Sequence, residues 1–103
     1  MNLFNKIYDL TFSPLLTPYN LIDTLKIVNY HSLNFKKNDI GIIAEITCNI
    51  DKENLITFYY EFDEKDFILN LYYYENNKKV FLFNREEELV KHKEKFNQIP
   101  FAI

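Results

Sequence analysis

The segment FILNLYYYENNKKVFLF, Phe67 to Phe83, decides how this chain reads. Side chains alternate on both sides of Asn76-Asn77-Lys78-Lys79, and three tyrosines stand just before that polar break. Asparagine tolerates the left-handed backbone of a tight turn, so a β-hairpin is the expectation. Successive strand residues point to opposite faces. Phe67, Leu69, Leu71 and Tyr73 therefore oppose Ile68, Asn70, Tyr72 and Tyr74, and Val80 to Phe83 forms the returning strand.

The same alternation extends upstream. IGIIAEITCNI reads as a strand with Ile42, Ala44, Ile46 and Cys48 on one side and Ile43, Glu45, Thr47 and Asn49 on the other. After a turn at Asp51-Lys52-Glu53-Asn54, Ile56, Phe58, Tyr60 and Phe62 alternate against Leu55, Thr57, Tyr59 and Glu61. A second turn spans Asp63 to Asp66. Before these strands, Leu3, Phe4, Ile7 and Tyr8 have the spacing of a short amphipathic helix. Thr17 followed by Pro18 is a helix start, and the stripe Leu21, Ile22, Leu25, Val28 predicts a helix from Pro18 to about Tyr30, ended by the polar stretch HSLNFKKND. After the hairpin, Asn84 can cap a last helix, with Glu87 in capping-box position. Glu86, Glu87 and Glu88 suit the positive end of its dipole and Lys91, Lys93 and Lys95 the negative end; Pro100 stops it. The predicted fold is α+β: a four-stranded antiparallel meander with N-terminal helices and a C-terminal helix packed on one face, in one domain spanning residues 1–103.

Composition narrows the class. With 48% hydrophobic and 17% aromatic residues the chain can build one core, and no uncharged apolar run approaches the length of a membrane span, Glu45 interrupting the best candidate. Lys6 and Asp9 break up the N-terminal apolar residues, which is unlike a signal peptide, and Cys48 stands alone, so the expected compartment is the reducing cytoplasm. The net charge of −3 gives no general pull toward nucleic acid or anionic lipid. Heavy use of Asn, Ile, Lys, Phe and Tyr is what AT-rich codons produce, pointing to a low-GC genome such as that of a phage or mobile element.

Several chemistries are disfavoured. Phosphate-cradling and dinucleotide loops need several glycines, and the chain has only Gly41. Cys48, His31 and His92 have no zinc spacing, and no cofactor or metal is expected. Cys48 falls on the apolar side as an inert thiol; His31 lies where a helix ends; His92, between Leu89 and Phe96, is expected to tip toward solvent from a helix edge. No catalytic residues emerge.

What remains is the second sheet face. Tyr59, Tyr72 and Tyr74 share it with Glu45 and Glu61, and Asp63, Glu64 and Asp66 follow in the adjoining turn. One reading is a solvated face whose tyrosines reflect β-propensity. The sharper one is an interface, since tyrosine gives large contact area at low entropic cost. Base stacking on single strands is disfavoured by the two glutamates. The expected function is a small non-enzymatic protein-binding module, an inhibitor or immunity-type factor occluding a partner such as a basic nucleic-acid-handling enzyme. The alternative is a homodimer using the same face.

Overall fold

The computed structural model describes residues 3–98. Helix α1 spans Leu3–Phe12, a 3₁₀ segment spans Pro18–Lys26, and five strands follow: β1 Tyr30–Lys37, β2 Gly41–Asn49, β3 Leu55–Asp63, β4 Ile68–Glu75 and β5 Lys78–Asn84. Helix α2, Arg85–Gln98, follows β5 directly. The strands form one antiparallel sheet in sequence order. The α+β class and the antiparallel meander are as the sequence predicts. The number of strands is five rather than four.

The additional strand lies in the stretch read as a polar helix end. Leu33 and Phe35 pair with Ile46 and Ala44, while Ser32, Asn34 and Lys36 point to the other side. The alternation is interrupted by a bulge at His31, between the pairs Tyr30–Cys48 and Ser32–Thr47. His31 is thus an exposed strand residue rather than a helix terminus, and its Nε2 meets Asn49 Oδ1. The preceding helix is correspondingly shorter than predicted. It ends at Lys26 and is wound as 3₁₀, with the Asn20 and Thr24 side chains bonded to backbone groups; the Thr24 hydroxyl donates to the Leu21 carbonyl at 2.5 Å. Thr17 is its N-cap and Pro18 its first residue, as expected, and Asn20 Oδ1 accepts from the Thr17 amide at 2.8 Å.

Strand pairing explains a second correction. Tyr59 opposes Tyr72 and Tyr60 opposes Leu71, but an irregularity after Glu61 sets Phe62 against Ile68. The slip flips Ile68 from the tyrosine side into the core. There it joins Leu21, Ala44, Ile46 and Phe62, with Leu16, Tyr30, Leu33, Tyr60 and Phe83 packed around them. Leu21 and Leu16 cover this apolar side of the sheet, opposite the tyrosines.

The turns follow local chemistry. Asn76 and Asn77 both take positive φ, 51° and 63°, between the paired residues Glu75 and Lys78, so the expected hairpin is present but its turn has two residues, and Lys78 and Lys79, read as part of the connection, belong to β5. Asp51 Oδ1 accepts from the amides of Glu53 and Asn54, both at 2.9 Å. The Asn54 side chain foremost, and then those amide bonds, hold its carboxyl below the usual carboxylate range. At Gly41 the lack of a side chain lets β2 run against the β3 backbone: a Cβ there would sit 2.4 Å from the Phe62 carbonyl oxygen.

Arg85, the only arginine, is the buried joint of the molecule. Its Nε donates to the Ile68 carbonyl at 2.7 Å and its two terminal nitrogens to those of Leu10 at 2.5 Å and Pro14 at 2.9 Å. The reason lies in the sequence. The Leu10 carbonyl, near the end of α1, would normally receive the amide four residues on, but that residue is Pro14, which has none. Burial pulls the guanidinium's pKa down and the charge of Asp63 opposes this.

Helix α1 packs on α2, and α2 touches β4 and β5. The predicted Asn84 cap is present, with its Oδ1 accepting from the Glu87 amide at 2.8 Å. Pro100 and the side chain of Phe96 lie outside the described residues. The molecule measures 56 × 28 × 26 Å with a radius of gyration of 16.3 Å, against about 13 Å for a compact domain of this length. Helices and core gather where Gly41, Phe62, Ile68 and Asn84 lie; the far ends of β3, β4 and β5 project beyond them.

Candidate interaction surface

The tyrosine face carries a packed ring cluster. Tyr59 and Tyr72, directly cross-strand, stack with centroids 5.3 Å apart and planes 12° from parallel. Tyr74 meets both edge-on, at 5.6 Å and 5.8 Å, and Phe81 of β5 lies 5.6 Å from Tyr72. The Lys79 ammonium sits over the Tyr72 ring at 4.3 Å. All these contacts come from the sheet itself. Phe81 reaches this face through another irregularity, which pairs it with Tyr72 rather than leaving it on the core side.

Exposure divides the cluster into floor and contact surface. Tyr72 is only 5% exposed and Tyr59 half-buried, whereas Tyr74 and Phe81 are 51% and 48% exposed. Burial, with smaller contributions from Glu61 and its neighbours, pushes the Tyr72 phenol up to about 12. Two rings thus stand on a rigid aromatic base, an arrangement that loses little side-chain entropy on contact.

The carboxylates divide differently from the predicted patch. Glu45, cross-strand from Tyr59, pairs with Lys36 at 2.8 Å, which raises the lysine's pKa. Glu61 accepts from Asn70 at 3.0 Å and Asn38 at 3.4 Å, and Asn84 donates on to Asn70 at 2.7 Å. A polar row therefore crosses the face from the β1–β2 turn to the cap of α2. Asp63 is occupied at the next turn, where its Oδ1 accepts from the amides of Lys65 at 2.8 Å and Phe67 at 3.0 Å. Glu64 is exposed, and Asp66 turns toward the 3₁₀ segment on the other side of the sheet. The structure brings Glu45 and Glu61 beside the tyrosines; Asp63 is the last residue of β3, at its opposite end, and Glu64 and Asp66 lie past it.

Residues outside the predicted set complete the surface. Beyond the Tyr59–Tyr72 pair no further β3–β4 partners follow, and a cleft of about 570 Å³ opens there, lined by Leu55, Ile56 and Phe58 on one strand and Tyr73, Tyr74 and Glu75 on the other. Ile50 and Leu82 extend it, and Ile50, Leu55 and Leu82 are each more than half exposed. Tyr74 belongs to both cleft and cluster. The sequence alternation puts Leu55 on the tyrosine side and gives Leu82 no role; the structure brings both to the cleft.

Two other reactive side chains are buried or half-buried. Cys48 is buried beside Ile46, and burial raises its thiol. His92 does not tip to solvent as expected: its Nδ1 lies 2.6 Å from the Glu88 carbonyl, and the ring lines a hollow with Leu10, Leu15 and Phe83. Among the described residues, no three His, Cys, Asp or Glu side chains are grouped to hold a metal, and no helix is long and apolar enough to cross a membrane. Compared with known proteins, the chain matches no family model, no curated protein and no solved structure.

Proposed function

We propose that this protein is a non-enzymatic protein-binding module whose contact surface is the aromatic end of the sheet. The observation that carries this reading is the half-exposed pair Tyr74 and Phe81 standing on the buried Tyr72 stack, continuous through Tyr74 with the apolar cleft. Exposed apolar surface of that extent marks interaction sites more often than solvated sheet. The module acts by occlusion, as an inhibitor or immunity-type factor does, with Glu61, bonded only to the neutral Asn70 and Asn38, at the border favouring a basic partner. The expected partner class is a basic nucleic-acid-handling enzyme, bound through protein rather than nucleic-acid contacts.

The test compares the native protein with Tyr74→Ser/Phe81→Ser as crosslinked baits in source-organism extract. One partner captured by the native protein and lost in the variant, with an unchanged circular dichroism spectrum, supports the proposal. Equal capture by both sinks it.

A second reading, self-association, is favoured by Ile50, Leu55 and Leu82, each more than half exposed along one cleft. A two-fold pair would cover these residues in both copies. Light scattering after size exclusion separates the readings: twice the 12.5 kDa chain mass, reverting on Leu55→Asp/Leu82→Asp, assigns the surface to a homodimer.

A further inference from the structure

The sheet has two outer edges, and they differ. β1 is guarded by a bulge at His31, by exposed Lys36 and Lys37, and by the 3₁₀ segment packed against it. β5 pairs only with β4, and among the described residues no backbone group of Lys78 to Leu82 bonds outside that pairing. Antiparallel ladders use alternate residues on each side, so the outer N–H and C=O groups of β5 face no strand. Its side chains are apolar in the middle and charged at the ends. Phe81 and Leu82 are both about half exposed. Exposed Lys78 and Lys79 precede them, and exposed Glu86 and Glu87 follow Asn84 and the buried Arg85. Lys79 lies over the Tyr72 ring, but Lys78, Glu86 and Glu87 have no ion pair among the described residues. A hollow of about 540 Å³ beside Asn84, lined by Glu86, Glu87, Val90, Lys91 and Glu94, prolongs the negative end.

The order positive, apolar, negative is complementary to itself when reversed. We infer that β5 pairs antiparallel with the β5 of a second copy, joining two five-stranded sheets edge to edge. About a two-fold axis beside Phe81, Lys78 of each copy comes to Asn84 of the other and so approaches its Glu86 and Glu87. The two Phe81 rings then stand side by side across the seam. A parallel pairing would instead set lysine against lysine. The free backbone edge calls for another strand, and the charge order is answered by this chain's own β5. A seven-residue strand is only about 23 Å long, a short seam beside the roughly 800 Å² per partner of a standard interface. The association is therefore reversible and grows with concentration. Both tyrosine clusters lie on the same side of the joined sheet. This goes beyond the cleft-to-cleft pair considered above, since it uses the strand edge and leaves Ile50 and Leu55 uncovered.

The test is solution mass by light scattering from about 1 μM to about 1 mM, a span that covers weak association. It compares the native chain with Lys78→Glu and with Glu86→Lys/Glu87→Lys. The native mass is expected to rise toward twice the 12.5 kDa chain mass. Each variant alone should stay at the single-chain mass, because like charges then meet at both ends of the seam. An equimolar mixture of the two variants should regain the native behaviour, because each altered end meets its opposite. Leu55→Asp, in the cleft and away from β5, should leave the native mass unchanged. Independently of these charges, Phe81→Cys should form an interchain disulfide on air oxidation and Leu55→Cys should not, since cross-strand Cα atoms about 4.5–5.5 Å apart suit that bond. A single-chain mass at every concentration overturns the inference, and so does a doubled mass that both charge variants keep. Loss of the doubled mass on Leu55→Asp, or a disulfide at position 55 and none at 81, overturns it in favour of the cleft. A mixture that stays monomeric, with both variants keeping the native circular dichroism spectrum, overturns the antiparallel pairing.

Discussion

Two residues show how much single side chains hold here, and neither role follows from residue type alone. Arg85 closes a gap that Pro14 creates, since one guanidinium satisfies carbonyls from α1, the following loop and β4. Arg85→Met takes a donor from three carbonyls, of which that of Pro14 keeps the Ile68 amide at 3.3 Å, and each carbonyl left unpaired costs about 1–3 kcal/mol when buried. A loss of about 3 kcal/mol or more is expected in urea unfolding, with Arg85→Lys in between; an unchanged midpoint would deny the joint. Tyr72 makes a pH-dependent contribution. Its folded pKa of about 12 lies above the value near 10 of an unfolded tyrosine, so the folded state holds the proton more tightly. Its stabilisation is complete below pH ~10 and lost as pH rises toward ~12, at most about 2–3 kcal/mol. Tyr72→Phe should flatten this alkaline decline, and a tyrosinate absorbance titration should show one of the eight tyrosines ionising last.

Among the elements, those with local signals were legible and those shaped by irregular pairing were not. The 75–78 turn, the strands β2 to β5 and the Asn84 cap follow from alternation and side-chain chemistry that neighbouring residues decide. Strand β1 and the facing of Ile68 and Phe81 depend on bulges at His31, after Glu61 and before Phe83, and a single inserted residue reverses parity without leaving a mark in composition. Gly41 belongs to this scale. It was informative in the sequence only as the lone glycine, yet in the sheet it allows β2 to run against the Phe62–Asp63 backbone. Gly41→Ala drives a methyl into backbone atoms that cannot rotate away, with a cost of about 1–3 kcal/mol. The expected signature is a lowered unfolding midpoint and shifted amide resonances confined to residues around 41 and 61–63; an alanine variant as stable as the native protein would refute the close contact.

The whole molecule is polarised. Leu21, Ala44, Ile46, Phe62 and Ile68 form the core where the 3₁₀ segment covers the sheet, while the far ends of β3 to β5 carry exposed Leu55, Tyr74, Phe81 and Leu82. Hydrogen exchange should follow that gradient, because local opening is easiest where few apolar contacts must break. Amides at Ile46, Tyr60 and Leu71 should be protected to near the global limit, and those at Leu55, Tyr74 and Lys79 should exchange earlier. Uniform protection along the strands would contradict it. By itself the sequence determined the α+β class, the meander order, the tight turn and the tyrosine face, because alternation, turn chemistry and capping act between residues close in the chain. Only the tertiary structure decided which tyrosines are floor and which are surface, that the acidic residues separate, and that Arg85, Pro14 and Leu10 meet. Those outcomes depend on where bulges fall and where β3 and β4 part, and these are set by packing between segments distant along the chain.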